Sequence, residues 1–146
     1  MPLEDLAGKW EIDSQGDPDT FMAAIGMGWL KRKAIGVALT LGFGSSGYDV
    51  EVTKGGDGTY KITISDGKRD NVIVTDGSEF TYNGPSGATT STAKVEGDKL
   101  IMSSMNDDPV VEVLTERWVD ADGKYVTRLH APSVKDAEWV RTCKRV

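Results

Sequence analysis

From Tyr48 onward, apolar and polar residues alternate in short runs separated by turn residues. Side chains on a strand point to opposite faces in turn, so each run reads as a strand with one face inward. Tyr48-Asp49-Val50-Glu51-Val52 is the first run and Gly55-Gly56-Asp57-Gly58 turns it. Tyr60 to Ile64, Val72 to Val74 and Glu79 to Tyr82 follow, closed by Asp66-Gly67, Asp76-Gly77 and Asn83-Gly84-Pro85. Thr89 to Val95, Lys99 to Met105, Val110 to Val119, Lys124 to His130 and Glu138 to Val146 complete the series. Gly8 to Asp13 adds an opening strand, with Trp10 and Ile12 on one face. About ten strands joined by tight turns predict an all-β, up-and-down antiparallel barrel. Eight strands already enclose room for one small ligand, so ten predict an interior cavity.

Between the first strand and the rest the period changes. Asp17-Pro18-Asp19-Thr20 is a helix start signal. Phe21, Met22 and Ile25 then fall at helical spacing, and Gly26 and Gly28 end the helix. Trp29 to Ile35 reads as a second short helix, ended near Gly36. Val37 to Gly47 reads as an extended linker. The helix pair is expected to lie over the barrel mouth, with Phe21, Met22, Ile25, Met27 and Leu30 packed on it.

The last strand carries the most distinctive chemistry. Trp139, Arg141 and Cys143 share one face; Val140, Thr142 and Lys144 share the other. If the first face looks inward, Arg141 is a buried cation in need of a partner, which makes it an anion receptor. On the preceding strand Thr127 and Leu129 are expected to face the same interior, which turns the lone histidine, His130, outward.

Composition narrows the classes. The chain has 146 residues, the prior for one domain spanning 1–146, and a net charge of -6, which argues against nucleic acid as a partner. One cysteine excludes an internal disulfide. Met1-Pro2-Leu3-Glu4-Asp5 has neither the basic nor the apolar region of a signal peptide, so a cytoplasmic protein is expected. One His and one Cys make no zinc site, and the Asp120-Ala121-Asp122-Gly123 turn lacks the pattern of a calcium loop. No phosphate-binding loop, nucleophile elbow or dinucleotide fingerprint is present, and no cofactor or metal is expected.

The order of strand, two short helices and nine further strands resembles the intracellular lipid-binding protein family, the fatty-acid-binding and cellular retinoid-binding proteins. Gly8-Lys9-Trp10 is similar to the family's opening Gly-x-Trp. Phe21-Met22-Ala23-Ala24-Ile25-Gly26 is similar to its first helix, and Arg141-Thr142-Cys143-Lys144-Arg145-Val146 to the liver-type ending. The resemblance implies a calycin-like clam of ten strands under a helical lid. It implies a monomeric, non-enzymatic carrier of a small hydrophobic ligand whose carboxylate head meets Arg141. Many members add a Tyr two positions later, where this chain has Cys143.

Relatives often carry a second Arg on the eighth strand. Counting back from the following turn puts Glu116 at that inward place, with Leu114 and Trp118 beside it, and Arg117 outward unless a bulge brings it in. An inward Glu116 is then expected to pair with Arg141 and compete with an anionic ligand. Inward Trp118 and Trp139 are expected to favour a flat, ring-bearing ligand such as a retinoid, pigment or sterol derivative. The alternative reading is a barrel enzyme or isomerase with Glu116 as base. Relatives use basic residues on the second helix for membrane or nuclear-import contact, which here points to Lys31, Arg32 and Lys33. The Leu39 to Ser46 linker is longer than the family's and is expected beside the portal.

Overall fold

The computed structural model describes residues 2–40, 47–67, 69–84, 87–107 and 110–146, and of Thr40 the backbone only. A 3-10 turn, Leu3–Leu6, precedes ten strands: β1 (Gly8–Ser14), β2 (Tyr48–Lys54), β3 (Tyr60–Ser65), β4 (Asp70–Val74), β5 (Phe80–Gly84), β6 (Gly87–Glu96), β7 (Lys99–Asp107), β8 (Val110–Val119), β9 (Tyr125–His130) and β10 (Glu138–Arg145). Helices α1 (Pro18–Ala24) and α2 (Trp29–Thr40) stand between β1 and β2. The sheet runs β4-β3-β2-β1-β10-β9-β8-β7-β6-β5, every pair antiparallel. It curls until β4 lies beside β5, the neighbouring pair without a backbone ladder.

Side chains bridge that gap. The Asn71 carboxamide on β4 donates to the Asn83 carbonyl at 3.0 Å and accepts from the Asn83 N–H at 2.8 Å. It thus stands in for one peptide unit of the missing ladder. Arg69 adds a bond to the same carbonyl at 2.9 Å.

Two apolar clusters fill the molecule. At the closed end, Leu6, Trp10, Ile62, Ile73, Leu100 and Tyr125 are almost wholly buried. The Trp10 indole donates to the Leu6 carbonyl at 2.8 Å and meets Tyr125 edge-on at 5.6 Å. This fixes Trp10 as core. The second cluster joins Phe21, Met22, Ile25, Met27, Ile35 and Leu39 of the helix pair to Val111, Ala131, Ala137 and Trp139 of the barrel.

Local chemistry accounts for the helix pair. Asp17 caps α1 by accepting from the Thr20 N–H at 3.1 Å, and Pro18 takes the first turn. Gly26 ends that helix at φ +91°. The second helix does not stop at Gly36. Ile35 and Leu39, four residues apart, both pack into the mouth, and that burial outweighs the roughly 1 kcal/mol cost of an interior glycine. Val37 to Thr40 is therefore helical rather than extended linker. The rest of the long linker, residues 41–46, lies outside the described residues. Gly47, at φ +107°, lies where a Cβ would come within 2.1 Å of the Trp10 carbonyl oxygen, so only glycine fits.

Candidate functional site

The site is a row of side chains across three strands. Arg141 on β10 pairs with Thr127 on β9, and Thr127 pairs with Arg117 on β8. All three face inward, and two strand spacings set the Arg117 and Arg141 Cα atoms about 10 Å apart. One row toward the closed end come Cys143, Tyr125 and Val119. One row toward the helices come Trp139, Leu129 and Thr115. Arg141, Cys143, Trp139, Thr127 and Leu129 thus stand on the inner face, as their alternation predicts.

The eighth strand is the correction. Its inner face holds Val111, Val113, Thr115, Arg117 and Val119; its outer face holds Glu112, Leu114, Glu116 and Trp118. No bulge is needed to bring Arg117 in. Counting back from one turn gave the wrong parity. The whole strand gives the right one: the inner set carries one charge among β-branched residues, the outer set two carboxylates. Glu116 is held outside by Arg128 at 2.8 Å, and Arg128 also binds Glu138 at 2.5 Å. It does not pair with Arg141, and the isomerase alternative loses its base. Trp118 lies outside under the Lys99 ammonium, 4.3 Å from the ring centroid. Leu114 sits on the same outer face, between Ser103 and His130. One indole, Trp139, rather than two, lines the interior, which removes half of the argument for a flat ligand.

Arg117 is 4% exposed. Its Nη2 donates to the Tyr82 hydroxyl at 3.0 Å. Burial works against its charge, but the oxygens of Tyr82, Tyr125 and Tyr48 more than offset this and hold it above the ordinary arginine value. Arg141 stacks on Trp139 at 4.8 Å and faces Tyr48 at 5.6 Å. Among the described residues, neither guanidinium has a carboxylate within ion-pair distance. Arg117 Nη1 and Arg141 Nε are buried without a hydrogen-bond partner. Burial raises the Tyr48 phenol, pushes Tyr125 up to about 12 and pushes the Cys143 thiol up to about 11, so all three are neutral near pH 7.

Two adjoining cavities that share wall residues occupy the interior. A polar chamber of about 80 Å³ is bounded by Tyr48, Asp66, Arg69, Thr115, Arg117 and Arg141. An apolar chamber of about 130 Å³ lies toward the helices, lined by Phe21, Met22, Ile25, Met27, Ile35 and Val113. Tyr82, Met102, Leu129 and Trp139 wall both. One chamber is thus apolar and the other carries the guanidinium and hydroxyl donors. The described residues contain no group of three or more His, Cys, Asp or Glu able to hold a metal ion. The sequence reading favoured Glu116 over Arg117 for the inward place and missed Tyr48, Tyr82 and Tyr125. The full-strand count on β8 would have found Arg117. The tyrosines come from β2, β5 and β9, and no spacing in the sequence joins them.

No protein-family model and no curated protein matches this sequence. Solved structures do match. The REP1-NXSQ fatty acid transporter is 27% identical, with a TM-score of 0.65 over 97% of this chain and 96% of that one. Fatty-acid-binding protein 1 of Echinococcus granulosus is 21% identical, with a TM-score of 0.63 over 98% of each chain. Lipid binding protein 8 of Caenorhabditis elegans is 17% identical, with a TM-score of 0.62 over 97% and 96%. The ten antiparallel strands, in a nearly closed barrel with two helices, have the fatty-acid-binding-protein fold. These neighbours support the resemblance to fatty-acid-binding and lipid-binding proteins, and do not bear on the liver-type branch.

Proposed function

We propose that the protein is a non-enzymatic carrier that binds a single-chain lipid, with a fatty acid as the reference case. The apolar chain occupies the chamber under the helices. The head group meets Arg141 and Arg117. One observation carries this reading: two inward guanidiniums, each with a buried N–H that has no partner, and no carboxylate beside either among the described residues. The fatty-acid-transporter neighbour, 27% identical over nearly the whole chain, agrees with it. Burial of the ligand chain supplies affinity at about 25 cal/mol per Å² of apolar surface, and the arginines supply orientation. Tyr48 and Tyr82 take the place of the hydroxyl that position 143 lacks.

Displacement of a fluorescent fatty-acid analogue from delipidated protein tests the reading. Arg141→Gln and Arg117→Gln are each expected to weaken binding of the carboxylate by about tenfold, about 1.4 kcal/mol. A methyl ester of the same chain should be indifferent to both substitutions. Equal carboxylate binding in all three proteins would place the head group elsewhere.

We further propose that α2 docks on anionic membrane surfaces. Trp29, Leu30 and Val37 are 62%, 76% and 57% exposed, and Lys33 lies 5.0 Å from the Trp29 ring centroid. The helix carries three basic residues and no acidic one. Co-sedimentation with vesicles containing phosphatidylserine should be lost in Trp29→Ala/Leu30→Ala; retention in that variant would count against the surface.

A further inference from the structure

We propose that the interior site prefers a single-chain lipid with a doubly charged head group, a phosphate monoester, over one with a singly charged carboxylate. The inference rests on the carrier reading above and concerns the charge it must neutralise.

The polar chamber has a definite charge balance. Among the described residues that bound it, Arg69, Arg117 and Arg141 are cations and Asp66 is the sole carboxylate. Asp66 Oδ2 holds Arg69 Nη2 at 2.7 Å. That leaves the charges of Arg117 and Arg141. Among the described residues no negative charge nearby offsets them, because Tyr48, Tyr125 and Cys143 are held protonated by burial. Glu116, the carboxylate on the neighbouring position of β8, is turned outside and bound to Arg128. A monocarboxylate leaves one of the two inward charges, of which Arg117 is buried and Arg141 partly buried, uncompensated, which burial penalises. A phosphate monoester, near -2 at neutral pH, removes both.

The donor geometry points the same way. The free N–H groups belong to different arginines, Nη1 of Arg117 on β8 and Nε of Arg141 on β10, with Thr127 between them in the row. A carboxylate has two oxygens in one plane. A phosphate monoester has three terminal oxygens around a tetrahedral centre, so it can accept from both arginines and keep one oxygen for Tyr48 or Thr115, which line the same chamber.

Three probes with the same twelve-carbon chain separate charge from shape: dodecanoate, dodecyl sulfate and dodecyl phosphate, all submicellar, competing against a fluorescent fatty-acid analogue. The sulfate is tetrahedral but carries one charge. At about pH 8 dodecyl phosphate is expected to compete at least about tenfold better than either monoanion. At about pH 5, below its second ionisation near 6, it should fall to within about threefold of the sulfate. In Arg117→Gln the advantage of phosphate over sulfate should disappear. Equal competition by all three at about pH 8 would overturn the preference and leave the carrier reading standing. A phosphate advantage over the sulfate that persists unchanged at about pH 5 would show that it does not come from the second charge and would overturn the charge argument. Competition by none would remove the carrier reading and this inference with it.

Discussion

Cys143 sits one row below Arg141, beside Tyr125, and is 2% exposed. Sequence alone made it a candidate head-group contact. Its surroundings make it a neutral filler of the closed end, because burial raises its pKa from 9.0 to about 11. The thiolate is the reactive form, so this cysteine should resist a thiol reagent near pH 8 and react only as the protein unfolds. Prompt modification of one thiol in the native protein would contradict this. The sign of the pH effect follows. The folded state holds the thiol proton more tightly than the unfolded chain. The resulting stabilisation is full below pH 9 and is lost as pH rises through about 11. Tyr125, raised to about 12, acts in the same direction at higher pH. Urea midpoints should therefore fall over the alkaline range, and less so in Cys143→Ala. Arg117 teaches a different lesson at this scale. A one-residue slip in parity exchanges a buried cation for a buried carboxylate, which reverses the charge assigned to the whole cavity.

Among the elements, the gap between β4 and β5 is the place where a single side chain does a backbone's work. Asn71 both donates to and accepts from Asn83, as a peptide unit on a neighbouring strand would. Asn71→Leu should speed exchange of the Asn83 amide about tenfold while core amides on β9 stay protected. At about 1 kcal/mol net per lost bond, global stability should fall by about 2 kcal/mol. Unchanged exchange at Asn83 would mean that the gap is closed by other contacts. The turns that bound these strands were legible in the sequence, since Gly, Asp and Asn mark most of them. So was the α1 cap at Asp17-Pro18. The run of α2 past Gly36 was not, because the burial of Ile35 and Leu39 that drives it is tertiary. The register of β8 was obscured because both faces carry large apolar residues, Leu114 and Trp118 outside against the valines inside. Arg141 was readable because it lies on a short final strand between Trp139 and Cys143. The tyrosines around it were not, since they come from strands far apart in sequence.

Taken whole, the barrel has two unlike ends. The base is packed by Trp10, Tyr125 and Leu100, while the mouth is closed by helix residues over a cavity. The ten-strand, helix-capped plan was readable because local alternation and turn spacing specify it. The cavity's charge was not, because it depends on which face of β8 turns in. The sheet order has one more implication. Since β1 and β10 are hydrogen-bonded neighbours and β4 and β5 are not, the chain's present ends lie inside the ladder and its true break lies elsewhere. A circular permutant that begins near Glu79, runs through β10, crosses a flexible linker into Leu3–Leu6 and β1, and ends near Asp76 would visit all ten strands in spatial order. Every existing ladder survives that rewiring. Such a protein should unfold cooperatively and bind the same probe, and loss of both would show that the β4–β5 turn itself is needed. Connectivity and shape are thus separable here: the barrel is a ribbon wound once into a cylinder, with its first and last strands side by side in the middle of the ribbon.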